Sequence, residues 1–401
     1  MALERSAQLL AQLRAALHAG SGWLPFDAYM QQALYAPGLG YYTGQAGQFG
    51  DFGNDSDFVT APELSPLFGR TLAAQLAQVL EQTGLHTVVE FGAGSGKLAA
   101  QVLGELERLG RAPQHYVIVE VSGALKHRQM DTLRSAVPHL ADRVQWWRAL
   151  PDAFEAVVIG NEVLDAMPVK LLSKHDTGWM ERGVAQEGDD LVFADRPTEL
   201  LPPEPEAHAL PAGSVTEIHP QALGFVRTLA DRMQRGVALF IDYGFPQHEF
   251  YHPQRHMGTL RAHYRHRVLD DVLLWPGLAD ITAHVDFTAV AIAAQDGGLD
   301  VLGYTSQANF LMNCGMLDLV AAEFSAGPPP VAPSSAAAVC GNSGGDTTAA
   351  GGSHYLRQTA AVNKLLGESE MGELFKVIAL GRGVDAQALH GFNRGDRTHT
   401  L

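Results

Sequence analysis

Cysteine, basic side chains and long apolar runs are all scarce in this chain of 401 residues. Its two cysteines, Cys314 and Cys340, form no Cys-x-x-Cys pair, which excludes a disulfide framework and a cysteine zinc site. No stretch approaches the roughly 20 apolar residues of a membrane-spanning helix. Lys and Arg number 28 against 44 Asp and Glu, and the net charge of −16 argues against non-specific nucleic-acid binding, which needs a basic face. We therefore expect no membrane insertion and no nucleic-acid partner.

The first twenty residues form an amphipathic pattern, with Leu9, Leu13 and Leu17 at helical spacing. Arg5 would suit an organelle transit peptide, whereas Glu4 and the absence of a continuous apolar run favour a helix that docks on the fold. We predict the docking helix and a cytoplasmic protein, with the mitochondrial matrix as the alternative if the source is eukaryotic.

Short apolar runs alternate with helical patterns along most of the chain. Four runs are apolar on both faces, as buried parallel strands are: Thr87–Phe91, Tyr116–Glu120, Ala156–Gly160 and Val237–Asp242. The helices between them imply an α/β fold, a doubly wound and mainly parallel sheet with helices on both faces. Two more runs, Leu299–Gly303 and Phe375–Ala379, predict a closing hairpin.

Composition and pattern also predict how the chain is divided. The predicted parts are an N-terminal helical segment over 1–80, a main domain over 81–385 with insertions at 170–215 (a β-meander) and 245–280 (a substrate cap), and a C-terminal tail over 386–401. Within the main domain, 326–353 consists mostly of Pro, Ala, Gly, Ser and Thr, which is typical of a flexible surface loop.

A glycine-rich turn after the first buried strand is the strongest local signal. Glu90-Phe-Gly-Ala-Gly-Ser-Gly96 allows a ligand to approach the backbone closely, and the next helix supplies unpaired N–H groups. The second strand ends at Glu120, where a carboxylate can bind both ribose hydroxyls of a nucleoside. A ligand-free tight turn is the structural alternative. A dinucleotide site would space its glycines G-x-G-x-x-G, whereas this E-x-G-x-G-x-G resembles motif I of class I S-adenosylmethionine (SAM) methyltransferases.

Several further blocks complete the pattern. In chain order they are Asp57–Gly69, Asn161–Val169, Ile241–Gly244, Gly258–Arg261, Asp280–Phe287 and Met371–Lys376. Together with the glycine turn, this ordered set resembles the MidA-like methyltransferases over most of the chain. That family includes the mitochondrial complex I assembly methyltransferase, which acts on an arginine of a complex I subunit.

The resemblance implies a Rossmann-like class I methyltransferase fold with a mainly parallel seven-stranded sheet. It implies SAM as the cofactor, S-adenosylhomocysteine (SAH) as the product, and no metal. It further implies arginine methylation of a substrate protein, with a respiratory complex I subunit as a candidate partner and a homodimer as a candidate assembly.

The resemblance also implies roles for single residues near the strand ends, where ligands bind in such sheets. The residues implied to bind the cofactor are Thr60, Pro62, Glu63, Glu90, Gly92, Ala93, Gly94, Ser95, Gly96, Glu120, Val121 and Asn161. Those implied in catalysis are Asn161, Glu162 and Asp165, and those implied to contact substrate are Asp57, Asp242, Tyr243, His284 and Asp286. Carboxylates suit an arginine acceptor because its guanidinium is a cation with five donors that they can bind bidentately.

Other interpretations of these residues stay open. Asn161 or Asp165 could cap a helix, and His284 with Asp286 could relay a proton or form a structural pair. The histidines at 252, 256, 263 and 266 lack the His-Glu-x-x-His zinc spacing and indicate a solvated face or a substrate cap. For the whole chain, the alternatives are a NAD-linked oxidoreductase and a non-catalytic assembly factor that keeps a SAM site.

Overall fold

The computed structural model describes residues 2–44, 60–203, 205–265, 267–326, 358–384 and 389–401. The helices are α1 (Ala2–Ala19), α2 (Phe26–Tyr35), α3 (Ala61–Leu64), α4 (Pro66–Thr83), α5 (Lys97–Arg108), α6 (Gly123–Ala136), α7 (Pro220–Arg232), α8 (Gln247–Phe250), α9 (Phe287–Asp296), α10 (Gln307–Asn313), α11 (Met316–Ala326), α12 (358–366) and α13 (Met371–Leu374). The predicted loop over 326–353 lies, beyond Ala326, outside the described residues.

The strands form three sheets. In chain order they are β1 (Trp23–Pro25), β2 (Thr87–Phe91), β3 (His115–Val119), β4 (Val144–Trp147), β5 (Phe154–Asn161), β6 (Lys170–His175), β7 (Gly178–Glu187), β8 (Asp190–Pro197), β9 (Val215–Ile218), β10 (Met233–Phe245), β11 (Arg261–Tyr264), β12 (Arg267–Leu269), β13 (Asp280–Thr282), β14 (Val285–Asp286), β15 (Asp300–Ser306) and β16 (Phe375–Arg382).

The central sheet has the order β15-β16-β10-β5-β2-β3-β4, and the short β14 pairs with the end of β10. The run from β10 to β4 is parallel, while β16 pairs antiparallel with both β10 and β15. The prediction of a mainly parallel seven-stranded sheet is confirmed. The closing hairpin also forms, although the chain between its two strands is long.

Alternating side chains of the central strands enter two separate cores, as the pleat requires. In β2, Val88 belongs to a core that includes Leu72 of α4, and its neighbour Val89 belongs to another that includes Leu229 of α7. Helices therefore cover both faces of the sheet, which leaves its carboxyl edge as the place where the connecting loops collect.

Two smaller sheets stand beside the central one. β6, β7 and β8 pair in sequence as antiparallel strands, while β1 pairs with β7 and β9 pairs with β6. The second insertion contributes the three-stranded sheet β12-β11-β13. β6, β7 and β8 fall within 170–215, and β11 and β12 fall within 245–280, whereas β1 comes from the N-terminal segment.

The N-terminal segment packs on the second insertion. Leu9, Leu13 and Leu17 of α1 are all buried, as expected for a docking helix. The Ser6 hydroxyl donates to the Pro276 carbonyl oxygen at 2.9 Å. No helix within the described ranges combines the length and the apolar character needed to cross a bilayer.

The last residues of the chain, predicted as a tail, lie along β15. The Arg397 N–H donates to the Tyr304 carbonyl oxygen at 2.6 Å, and the Thr305 hydroxyl donates to the Gly395 carbonyl oxygen at 2.6 Å.

Candidate functional site

The carboxyl ends of the central parallel strands meet at one edge of the sheet. β2 leads into the turn at Gly92, β3 ends just before Glu120, and β5 ends at Asn161. β10 brings Asp242 and Tyr243 to the same edge. This edge is where α/β sheets of this type bind their ligands.

A cavity of about 290 Å³ opens at this edge. The predicted site residues that line it are Thr60, Pro62, Glu63, Glu90, Gly92, Ala93, Gly94, Ser95, Glu120, Val121, Asn161, Glu162, Asp165 and Tyr243. Further lining residues come from the N-terminal segment (Tyr35, Tyr41, Tyr42, Thr43) and from strands β11 and β13 of the three-stranded sheet (His263, Asp280, Thr282). The predicted substrate residue Asp57 lies outside the described residues.

The glycine turn forms the floor of the cavity. Gly92 and Gly96 have positive φ angles of 67° and 83°. A Cβ on Gly96 would lie 3.0 Å from the Cα of Gln129, so this glycine, which does not itself line the cavity, lets α6 pack against the turn. Glu90 accepts a hydrogen bond from the Tyr116 hydroxyl with 2.5 Å between the oxygens, and burial raises the pKa of Glu90 to about 7.

Glu120 is fixed by two donors at one end of the cavity. Its Oε1 accepts from the Ser122 N–H at 2.7 Å, and its Oε2 accepts from Gln129 Nε2 at 3.1 Å. The same Nε2 lies 3.2 Å from the Gly94 carbonyl oxygen, while Gln129 Oε1 accepts from the Trp146 indole N–H at 2.9 Å. Gln129 therefore joins the carboxylate to the glycine turn. Burial raises the pKa of Glu120.

The short helix α3 is tied to the same turn. Glu63 accepts from the Ser95 hydroxyl and pairs with the Lys97 ammonium. Gln101 Nε2 donates to the Pro62 carbonyl oxygen at 2.8 Å. These contacts hold the Thr60–Glu63 segment over the floor of the cavity.

Glu162 follows β5 in a conformation that non-glycine residues rarely adopt, with φ at 54°. Its N–H donates to the Ile241 carbonyl oxygen at 2.9 Å, and its Oε1 accepts from Asn161 Nδ2 at 3.0 Å. The Ala61 N–H also faces the Glu162 carboxylate. Such strain costs free energy and persists only where the surrounding structure enforces it, which is common at functional sites.

The other end of the cavity is acidic and mostly buried. Burial, together with the charge of Asp165, raises the pKa of Glu162 to about 8, and burial raises the pKa of Asp165 to about 6 against a hydrogen bond from the Tyr243 hydroxyl. Asp165 Oδ1 and Asn161 Oδ1 are buried without a hydrogen-bond partner in the described part of the chain. These two orphaned acceptors make this end suited to a cationic donor.

Contrary to the prediction, Asp242 does not line the cavity. Its Oδ2 accepts from the N–H groups of Val163, Leu164 and Asp165 at 3.1, 2.8 and 3.3 Å, and its Oδ1 accepts from the Tyr243 N–H at 3.0 Å. The Asp242 carboxyl group therefore organises the loop that carries the acidic residues.

Replacing Asp242 by Ala is expected to lower the free energy of unfolding by about 3 kcal/mol, because four buried N–H donors would lose their acceptor. Urea unfolding measures the change, with Asp142→Ala at an exposed position as the control. Equal stability of the two variants would contradict this structural role.

His284 and Asp286 also lie outside the cavity lining, contrary to the prediction. The imidazole packs against the rings of Tyr243 and Phe245, at centroid distances of 5.0 and 5.2 Å. Asp286 instead caps α9, its Oδ1 accepting from the Ala289 N–H at 3.0 Å. His284 Nδ1 and Asp286 Oδ2 have no hydrogen-bond partner among the described residues, so the proposed proton relay does not form.

Sequence reasoning missed several residues that reach the cavity from outside the central sheet. Tyr35 and Tyr42 stack with ring centroids 5.4 Å apart, and Asp280 contacts this pair. His263, whose histidine-rich segment was expected on a solvated face or in a substrate cap, lines the cavity.

Within the described ranges, no group of three or more His, Cys, Asp or Glu side chains is arranged to hold a metal ion.

Known proteins resemble the chain well beyond these motifs. Residues 71–305 match a family described as S-adenosyl-L-methionine-dependent methyltransferases. The chain is 32% identical over 326 residues to the mitochondrial protein arginine methyltransferase NDUFAF7 of Mus musculus, covering 74% of this chain and 72% of the relative. Its identity to the Caenorhabditis elegans homolog is 31% over 327 residues, covering 74% of each protein.

Two solved structures also resemble the chain over its full length. A Burkholderia thailandensis protein described as a methyltransferase, crystallised with SAH, is 50% identical with a TM-score of 0.89, and the match covers 100% of this chain and 98% of that one. A native structure from the same superfamily and organism is 48% identical with a TM-score of 0.85, at the same coverage. The NAD-linked alternative is therefore set aside, and the chain belongs to the MidA-like family of S-adenosyl-L-methionine-dependent methyltransferases.

Proposed function

We propose that this protein methylates an arginine side chain of a partner protein, with SAM as the methyl donor. One observation carries the proposal. The cavity joins the glycine turn and the Glu120 carboxylate at one end to a buried acidic end with the unpartnered Asp165 Oδ1 at the other. A cofactor and a cationic acceptor thus have separate, adjoining places.

The cofactor end would be formed by the glycine turn and the segments tied to it. SAM, when bound, supplies an electrophilic methyl group. Glu120 would accept hydrogen bonds from the ribose hydroxyls, and Val121 and Ser122 line the cavity beside it. The turn residues Gly92–Gly96, with Glu90, Thr60, Pro62, Glu63 and Asn161, would surround the rest of the molecule.

Replacing Glu120 by Ala is expected to weaken SAM binding by about one to two orders of magnitude. A charge-assisted hydrogen bond is worth roughly 1.5–3 kcal/mol, and about 1.4 kcal/mol corresponds to a tenfold change in affinity. Because the ribose hydroxyls are the same in ground and transition states, turnover at saturating SAM should change little. Calorimetric titration measures the affinity, with Glu155→Ala at an exposed position as the control. Unchanged affinity in the folded variant would remove Glu120 from the ribose site.

The acceptor end would position a guanidinium through Glu162 and Asp165. Asp165 is buried and Glu162 is half-buried, and a bound cation would favour the charged forms of both carboxyls. Their oxygens accept N–H donors, so they fix the plane of the guanidinium and bring one nitrogen to the methyl group. Such positioning supplies much of the rate of an in-line displacement. The nitrogen gives up one proton on methylation, and Glu162 is placed to receive it.

The partner would be a protein, and we propose a respiratory complex I subunit on the strength of the family resemblance. The curated relatives carry the words arginine methyltransferase and mitochondrial in their names. We propose the cytoplasm for this chain, with the mitochondrial matrix as the alternative if the source is eukaryotic. A homodimer remains the proposed assembly.

Quantitative mass spectrometry of protein methylation in wild-type and deletion cells tests the function. The proposal predicts at least one arginine whose methylation disappears on deletion and returns with the wild-type gene. Loss confined to methylated lysine or carboxyl groups would contradict it.

A further inference from the structure

Asp280, the first residue of β13, brings another carboxyl group to the acidic end of the cavity. It comes from the three-stranded sheet of the second insertion, far along the chain from Glu162 and Asp165. Its side chain lines the cavity, and the residue is only 8% exposed. Asp280 does not lie on the central sheet. The other acidic residues were identified because they lie at the carboxyl ends of central strands, and this criterion does not apply to Asp280.

A stacked pair of tyrosines holds Asp280 in place. The Tyr42 hydroxyl donates to Asp280 Oδ1 at 2.8 Å, and the rings of Tyr42 and Tyr35 stack with an interplanar angle of 21°. Tyr35 is anchored in turn, its hydroxyl donating to the Ala166 carbonyl oxygen at 3.0 Å. Because Ala166 adjoins Asp165, the pair links Asp280 to the loop that carries the catalytic candidates.

Asp165 and Asp280 influence the same neighbouring tyrosines. Burial raises the pKa values of Tyr35 and Tyr42, and the charges of both aspartates add to it; Asp280 also adds to the effect of burial on the pKa of Glu162. The Asp165 main chain contacts the residue that follows the strand of Asp280, since the Ala283 N–H donates to the Asp165 carbonyl oxygen at 3.0 Å. The two carboxyl groups therefore share one small, buried space.

We propose that Asp280, oriented by Tyr42, is a second acceptor-binding carboxylate that selects a guanidinium over an ammonium group. This assignment rests on the proposed arginine methylation. The buried and unpartnered Asp165 Oδ1, lining the same cavity, provides independent evidence that a donor group belongs there.

The selectivity follows from the shapes of the two cations. A guanidinium is planar, spreads five N–H donors in a fixed fork, and stacks on aromatic rings. It can donate to two carboxylates at once while lying against a tyrosine ring. An ammonium is a compact, strongly hydrated charge with three donors and loses more hydration in a dry site. Two carboxylates beside a tyrosine pair therefore favour arginine over lysine.

Binding of three small probes to the SAH complex tests the assignment. The probes are N-acetyl-arginine amide, N-acetyl-lysine amide and N-acetyl-citrulline amide, the last a neutral analogue of arginine. The wild type should bind the arginine probe at least tenfold more tightly than the other two. Asp280→Asn, which keeps the size of the side chain, should weaken the arginine probe about tenfold or more, leave the citrulline probe within twofold, and leave SAH affinity within twofold. Asp270→Asn, exposed in the same insertion, is the matched control.

Two results overturn the assignment and differ in their meaning. If the wild type prefers arginine but Asp280→Asn retains that preference in full, this inference is wrong and the proposed function stands. If the wild type has no preference for arginine, both are wrong. Should Asp280→Asn fail to bind SAH, Tyr42→Phe replaces it, because it keeps the carboxylate and removes only its orienting donor. We then expect a loss of at least threefold for the arginine probe alone, and an unchanged preference would reject the assignment.

Discussion

Replacing Glu162 by Gln is expected to reduce methyl transfer at least a hundredfold while SAM affinity stays within about threefold. The amide keeps the size of the side chain and removes the charge that holds the acceptor cation. A hydrogen bond to a charged group contributes roughly 1.5–3 kcal/mol, and misplacing a reacting group by about 1 Å can cost another factor of roughly 100. Single-turnover transfer with preloaded SAM, alongside calorimetric SAM titration, separates the two effects.

Glu120→Ala is the matched control, since it should show the opposite pattern of weak SAM binding with transfer preserved at saturation. If Glu162→Gln loses SAM as severely as Glu120→Ala, Glu162 belongs to the cofactor site. If it lowers only the melting temperature, its role is structural. Full complementation of a deletion strain by Glu162→Gln would favour a non-catalytic assembly factor.

Acceptor binding is expected to strengthen at least tenfold between pH 6 and pH 8. Burial and the neighbouring Asp165 hold the pKa of Glu162 at about 8 before the acceptor binds, so at pH 6 its carboxyl carries a proton. A bound guanidinium requires the charged form, and that proton must leave. Affinity therefore rises with pH by up to tenfold per unit for each proton released, and the rise ends above the pKa of the free site. Arginine stays charged throughout this range.

Titrating the SAH complex with N-acetyl-arginine amide in buffers of different ionisation enthalpy measures both the affinity and the protons released. Glu162→Gln should flatten the pH dependence, because the titrating group is gone. An affinity that is constant or falls as pH rises would contradict the raised pKa as a feature of acceptor binding.

Local chemistry made the cofactor end predictable from sequence. The residues from Glu90 to Gly96 lie on one strand and the turn that follows it, so their spacing favours a ligand-binding edge over a ligand-free turn. Glu120 ends the neighbouring strand, and parallel strands bring their carboxyl ends together. The same logic located Asn161, Glu162 and Asp165.

A strand-end carboxylate does not reveal where its side chain points. Asp242 turns back to accept three N–H groups of the adjacent loop, although its position in the sequence resembles that of a substrate contact. His284 and Asp286 are two residues apart and would share a face in a continuous strand. β14 ends at Asp286, which becomes the N-cap of α9, and the pair is separated.

Long-range packing supplied the residues that sequence reasoning missed. Gln129 lies inside an ordinary helical pattern, and only the docking of α6 on the glycine turn brings its amide to Glu120. Tyr35 and Tyr42 meet Asp280 because the N-terminal segment packs on the second insertion. No motif spacing could indicate contacts between segments separated by more than half of the chain.

Transfer of labelled methyl groups from SAM to protein measures the proposed arginine methylation itself. The purified protein is incubated with methyl-labelled SAM and an extract of cells that lack its gene, and the labelled proteins are hydrolysed to amino acids. We expect label to appear in methylarginine with the wild type and to be lost with Glu162→Gln. Label in another amino acid, or none in protein under conditions where SAM binds, would contradict it.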